Sequence, residues 1–387
     1  MRGAALLILA CLFCGPAACG LSITGGGSSA AGSGAITPLE RMAGQMIMTG
    51  FRGTGEQPLS QDLLYLLPDI QAGRIGGVIL FEPDVLTRQR RNIRSLDQVA
   101  ALSALLQKDA PIPLFIAADQ EGGRVRRFKE EHGLAASPSA AELGRGSPEA
   151  TRQEAARIGA ALFAAGVNLN FAPVLDVDVN PKSPAIGALG RSFSAEPARV
   201  AAHGLAFAEG LASAGVIACY KHFPGHGSAR HDSHLGLTDI TATWLPIELE
   251  PYRRILPHTP PAMIMSGHMV HRDKGGDLPA SLSPAIIDGL LRGTLGWQGV
   301  VITDDLQMGA IENTYSMKEA IRLAVLAGSD ILLFGNNMRH DPQEGGKAHA
   351  ALVELVREGA ISEARIRKSY DRIMRLKATT LHFPPPR

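Results

Sequence analysis

The chain is poor in cysteine, in net charge and in long apolar runs. Three of its four cysteines, Cys11, Cys14 and Cys19, fall near the N-terminus, so no disulfide framework holds the body. The fourth, Cys219, lies in an apolar strand-like run and reads as core. Lys and Arg number 38 against 37 Asp and Glu, a formal net charge of +1. That balance sets up no field to draw nucleic acid or an acidic membrane surface. The one basic run, Arg88–Arg91, reads as a solvated turn or helix face. Aromatic residues make up 5% of the chain, yet hydrophobic residues reach 45%, which is an ordinary globular profile with ample core. The 387 residues allow one large domain or two medium ones. The longest apolar run, Ala4–Phe13, is too short to span a bilayer.

That run follows Arg2 and precedes the small residues Ala17-Ala18-Cys19-Gly20, the pattern of an export leader. Cys19 sits where a lipidated cysteine would stand, with Pro16 where such signals usually carry Leu, so simple cleavage and lipid anchoring both stay open. Residues 1–19 are thus expected to be a signal peptide, and residues 20–36, rich in Gly, Ser and Ala, a flexible tether. The expected body covers 37–380, with an unstructured tail at 381–387. The expected location is the cell envelope, with membrane contact only through an N-terminal lipid.

Within the body, eight apolar runs alternate with helical stretches. The expected strands are 45–51, 77–81, 114–119, 168–174, 217–222, 262–268, 299–304 and 330–334. Runs apolar on both faces suit a parallel sheet covered by helices. Helices are expected at 96–108, 148–165, 198–214, 284–295 and 317–327. A last one, over 362–376, takes Ser362 as its N-cap. Eight strand–helix repeats predict an α/β fold, a single (β/α)8 TIM-type barrel. An open doubly wound sheet would carry a Gly-rich phosphate loop after an early strand, and none is present.

In such a barrel, chemistry gathers at the C-terminal ends of the strands. The third strand ends in Asp119-Gln120-Glu121-Gly122-Gly123-Arg124, and the fourth runs into Asp176 and Asp178. The fifth gives Lys221 and His222, the sixth Ser266-Gly267-His268, and the seventh Thr303-Asp304-Asp305. Past the fifth strand, Lys221 to Asp232-Ser233-His234 packs Lys221, Arg230, four histidines and one acid among Gly, Ser and Pro. Such a segment cannot be buried as core. An Asp two residues before a His can set the imidazole tautomer and raise its basicity, as proton transfer near neutral pH requires. The inventory suits a polyhydroxylated ligand such as a sugar, with Asp304 or Asp305 as a carboxylate nucleophile. Asp305, Asp176 and Asp178 read more simply as caps or loop ties.

Lys221-His222-Phe223-Pro224-Gly225-His226-Gly227, followed by Asp232-Ser233-His234, resembles the signature of family-3 glycoside hydrolases, in their β-N-acetylglucosaminidase branch. Asp119-Gln120-Glu121-Gly122-Gly123-Arg124-Val125, Phe171-Ala172-Pro173-Val174-Leu175-Asp176-Val177 and Thr303-Asp304-Asp305-Leu306 match further blocks in the same order. The resemblance runs from about residue 37 to 376. It implies that Asp304 is the nucleophile, that His234 is the general acid/base held by Asp232, and that Asp119, Arg127, Arg191, Lys221 and His222 bind the non-reducing sugar. It implies retaining, exo-acting release of terminal β-linked N-acetylglucosamine from peptidoglycan-derived saccharides, with no metal and no organic cofactor. Where the family usually places Asp-Thr after His-Gly, this chain has Ser228-Ala229-Arg230-His231, with the spacing to Asp232 kept. The turn before Arg191 is slightly longer than usual. Three other readings remain at this stage: a phosphorolytic enzyme of the same family, a metal-dependent barrel hydrolase using His222, His226, Asp232 and His234, and a catalytically silent sugar-binding lipoprotein. The oligomeric state and the natural aglycone are not legible in the sequence.

Overall fold

The computed structural model describes residues 36–233 and 236–381. The leader, the tether and most of the tail therefore lie outside the described residues, as does His234.

Eight short strands form one sheet: β1 (Ile47–Gly50), β2 (Gly77–Leu80), β3 (Phe115–Ala118), β4 (Leu169–Asn170), β5 (Ile217–Phe223), β6 (Ala262–Ser266), β7 (Val300–Thr303) and β8 (Leu332–Phe334). Neighbours pair in the order β7-β6-β5-β4-β3-β2-β1-β8, every pair parallel. A parallel bridge between Ile302 and Ile331 brings the two edges together. The result is the expected barrel, nearly closed. Every residue of these strands is buried, which is why the runs are apolar on both faces.

Among the described residues, nine α-helices have six or more residues, and six of them start at a side-chain cap. The nine are α1 (Pro38–Gln45), α2 (Gln61–Gln71), α3 (Leu96–Gln107), α4 (Pro148–Ala164), α5 (Pro197–Ser213), α6 (Glu250–Ile255), α7 (Met317–Ala327), α8 (Glu344–Arg357) and α9 (Glu363–Thr380). Thr37 and Glu40 form a reciprocal capping box on α1. Ser60, Ser95, Ser147, Ser316 and Ser362 each accept a first-turn backbone N–H, satisfying donors that would otherwise be orphaned. Ser362 is thus the cap that the sequence indicated.

Two elements differ from expectation. The fourth apolar run is a ladder only over Leu169–Asn170. Beyond it Pro173 has no N–H to donate, and the chain rejoins β5 through the Val174–Lys221 bridge. The helix expected over 284–295 is a π-helix, Ala285–Thr294, closed at its end by Leu295 N–H donating to the Leu290 carbonyl at 3.0 Å. Cys219 is buried and free, as its apolar setting indicated. Among the described residues, no helix is long and apolar enough to cross a membrane.

Candidate active site

The C-terminal ends of the strands open into a cavity of about 280 Å3, near the lower end of the roughly 300–1,000 Å3 usual for small-molecule sites. Asp119, Arg127, Arg191, Lys221, His222, Asp232, Asp304 and Asp305 all line it. Of the eight residues given catalytic or sugar-binding roles from the sequence, all but His234 therefore share one mouth with Asp305; His234 lies outside the described residues.

A chain of ion pairs builds one side. Asp119, directly after β3, accepts from Lys221 Nζ at 2.8 Å and from Arg127 at 2.9 Å. Lys221, near the end of β5, also reaches Glu121 at 2.7 Å. Glu121 in turn grips Arg191 with both oxygens, at 2.9 and 2.7 Å. Arg191 comes from the long loop after β4 and is further held by the Ala185 carbonyl at 2.8 Å. The alternation of charge lets each group stay ionised in a buried setting. Burial alone would raise the Asp119 pKa, but Lys221 and Arg127 override it and hold the carboxyl well below the usual range. The same contest holds Glu121 at about 2. Burial would lower Lys221, and Asp119 and Glu121 instead push it up.

His222 is set from beneath. The buried Asp176 carboxylate accepts His222 Nδ1 at 2.7 Å, the His222 backbone N–H at 3.1 Å and the His226 backbone N–H at 2.8 Å. Burial opposes ionisation of Asp176, yet His222 and His226 bring its pKa below the ordinary value. An ionised carboxylate can only accept, so Nδ1 of His222 carries the proton. The other ring nitrogen, Nε2, lies 3.5 Å from the Arg191 guanidinium. Asp176 is a buried tie, in line with its sequence reading. Asp178 does not line the cavity; burial raises its pKa.

The neighbouring acids of β7 have separate surroundings. Asp304 donates its backbone N–H to the Ser266 carbonyl at 2.9 Å, and its Oδ1 accepts the Asp305 N–H at 2.8 Å. Asp305 Oδ1 accepts the Gln307 and Gly335 N–H groups at 3.0 and 2.8 Å, binding the β7 loop to the β8 loop. Asp305 is the loop tie that the sequence suggested.

The excursion after β5 is pinned at both ends. At its root Glu248, fully buried, accepts the Gly227 N–H at 3.0 Å. Gly225 adopts a left-handed φ of 123° directly against the Glu248 side chain, a conformation that suits glycine. A Cβ on Gly227 would collide with the Val177 carbonyl. At the far end, the Ser233 hydroxyl meets His226 Nε2 at 3.1 Å, and the Ser233 carbonyl accepts the Ala310 N–H at 3.3 Å. The segment from the fifth strand thus reaches the loop that follows the seventh. Burial lowers the His226 pKa to about 4 and raises that of Glu248 to about 7.

Sequence reasoning left Glu121 out of the ligand set, although it stands inside the quoted third-strand block. It also passed over Glu248, whose only signal is an acid between Ile247 and Leu249. As for metals, among the described residues the acids and histidines grouped closely enough to surround an ion are Glu82, Glu131 and His132. They fit one poorly. His132 Nδ1 accepts the Lys129 N–H at 3.0 Å, which leaves the proton on Nε2, and the Lys129 ammonium already sits on Glu82 at 2.8 Å.

The model of the glycosyl hydrolase family 3 N-terminal domain matches residues 40–376. The chain belongs to glycoside hydrolase family 3. It is 35% identical to β-hexosaminidase A of Pseudoalteromonas piscicida over 90% of its own length and 63% of that protein. It is 33% identical to a β-hexosaminidase of Xylella fastidiosa (strain 9a5c) over 82% and 92% respectively. A family-3 β-N-acetylglucosaminidase structure from Paenibacillus sp. str. FPU-7 superimposes with a TM-score of 0.80 at 36% identity, covering 91% of this chain and 64% of that one. The β-N-acetylhexosaminidase of Beutenbergia cavernae DSM 12333 gives 0.78 at 29% identity, over 89% of this chain and all of that one. This family-3 chain thus spans less than two thirds of the Pseudoalteromonas and Paenibacillus proteins.

Proposed function

We propose that this chain is a retaining, exo-acting β-N-acetylglucosaminidase that releases terminal N-acetylglucosamine from peptidoglycan-derived saccharides in the cell envelope. The observation that carries the reading is one small cavity that Asp304 lines together with Asp119, Lys221 and Arg191, three groups linked in an ion-pair chain through Glu121. Its size and dense ring of fixed donors and acceptors suit one sugar ring with several hydroxyls. The named activities of the relatives supply the N-acetyl sugar; the expected leader supplies the location.

In this mechanism the ion-paired side holds the non-reducing ring through its hydroxyls, and Asp304 attacks the anomeric carbon. The bond to the leaving oxygen breaks as His234, oriented by Asp232, gives that oxygen a proton. The resulting glycosyl-aspartate is hydrolysed by water that His234 deprotonates. Imidazole titrates near about 6.5, so it can serve as acid and then base at neutral pH without deep burial.

Asp304→Asn tests this with 4-nitrophenyl N-acetyl-β-glucosaminide. The carboxamide cannot form the ester intermediate, and kcat is expected to fall by about a thousandfold or more with unchanged circular dichroism. A variant that turns over like the native chain would refute the assignment.

A further inference from the structure

The outer part of the cavity carries an apolar wall. Phe81, Pro83 and Val85 line it from the loop after β2, Val125 from the hairpin after β3, and Met338 from the loop after β8. Val85 remains 40% exposed, and the adjacent Leu86 51%. By contrast Ile79, Phe171, Met265 and Leu333, which also line the cavity, are buried and belong to its floor. Exposed aliphatic groups gathered at the mouth of a charged pocket mark a contact surface.

The surface is built, not frayed. Asn337 Oδ1 accepts the Val85 N–H at 3.0 Å and Arg91 Nη1 at 3.2 Å, while its Nδ2 donates to the Pro83 carbonyl at 3.3 Å. Arg91, whose side chain is wholly buried, donates to the Asn336 carbonyl at 2.6 Å and pairs with Asp84 at 2.8 Å. Asp84 also holds Arg52 at 2.7 Å. These polar groups tie the two loops together; beside Asn337, and beside Phe81 whose ring lies under the Arg127 guanidinium at 5.5 Å, the loops turn Pro83, Val85 and Met338 to the mouth.

We infer that this wall is the leaving-group subsite, and that it takes an aglycone with alkyl, aryl or ether-linked carbon beside the glycosidic oxygen in preference to an unsubstituted, fully hydroxylated sugar. The inference rests on the hydrolase reading above. With the non-reducing ring held at the charged deep end, the first atoms of the leaving group emerge at the rim. There Pro83, Val85 and Met338 can cover carbon but do not replace the hydrogen bonds that sugar hydroxyls make to water.

The test compares 4-methylumbelliferyl and methyl N-acetyl-β-glucosaminides in the full chain and in Val85→Asn and Met338→Gln. Taking each variant against wild type on the same substrate cancels intrinsic leaving-group reactivity. Each variant is expected to lose about fivefold more kcat/KM on the aryl glycoside than on the methyl glycoside. Equal losses on both substrates, or none on either, would overturn the subsite and leave the hydrolase reading standing. Failure of the wild type to turn over either glycoside would remove the hydrolase reading and this inference with it.

Discussion

Glu121 is the hinge of the charge chain in the mouth, and Glu121→Gln probes it. Its carboxylate takes two guanidinium nitrogens of Arg191 and the ammonium of Lys221. Burial favours the neutral acid, but the two cations prevail and lower the pKa from 4.5 to about 2. At about 1.4 kcal/mol per pH unit, ionised Glu121 contributes about 3 kcal/mol to stability. The folded value lies below the unfolded one, so the contribution is complete above pH 4.5 and fades as pH falls toward 2. Gln keeps the shape and one acceptor but removes the charge, leaving Arg191 buried with the Ala185 carbonyl and His222 as neighbours. The variant is expected to be about 3 kcal/mol less stable at pH 7 by urea denaturation. The gap to wild type should close as both proteins are acidified from pH 4.5 toward 2. KM should rise as well, because Arg191 loses the partner that aims it. A Gln variant as stable as wild type at pH 7, or a gap that ignores acidification, would refute the reasoning.

Two further outcomes follow from buried groups whose hydrogen bonds among the described residues run to uncharged partners. Burial raises Glu248 from 4.5 to about 7, so its titration has the opposite sign: the stability it brings is present below pH 4.5 and lost as pH rises through about 7. Wild type should therefore lose about 3 kcal/mol relative to Glu248→Gln between pH 4.5 and 8.5, and denaturation curves with parallel pH dependence would exclude this. At the opposite end of the barrel, Lys377 Nζ donates to Gln45 Oε1 at 2.8 Å and to the Gly76 and Pro113 carbonyls at 2.9 and 2.6 Å. Lys377→Met takes the donor from Gln45 Oε1 and the Pro113 carbonyl, while the Gly76 carbonyl keeps the Phe115 N–H at 3.1 Å; it should cost about 3 kcal/mol with KM unchanged, and an unaltered denaturation midpoint would count against that role.

Much of the fold was legible because a parallel barrel strand must be apolar on both faces, and eight such runs stand out between helices, six of them capped by Ser or Thr. What was not legible depends on backbone geometry. The fourth run looks like its neighbours by composition, yet Pro173 withholds a donor and shortens the ladder to two residues. The π-helix at Ala285–Thr294 keeps the apolar spacing of an ordinary helix, so periodicity does not reveal it. In the site, Asp119, Lys221 and Asp304 declared themselves as charged residues closing apolar strands. The choice between Asp304 and Asp305 did not, because two adjacent acids carry the same local signal. Asp305 binds the Gln307 and Gly335 backbone, a tie that no local pattern in the sequence announces. Arg191 and Glu121 stand 70 residues apart in sequence, and nothing local announces their pairing.

The two glutamates show how the mouth divides its work. Glu121 lies among cations that keep it charged, so the sector from β3 to β5 is a fixed electrostatic template whose groups have no need to move a proton. Glu248 has no cation among its hydrogen-bond partners and accepts backbone N–H groups at the root of the excursion after β5. That excursion is tied again at Ser233, to His226 and to Ala310 beyond β7. The segment is thus held at its root and again near the seventh strand, apart from the ion-paired sector. On the proposed mechanism, one sector would fix the ring and the other would move protons, and each side could be tuned separately. It follows that Glu121→Gln should act chiefly on KM and Glu248→Gln chiefly on kcat. Steady-state kinetics giving the same split for both variants would show that the two sectors are not separate.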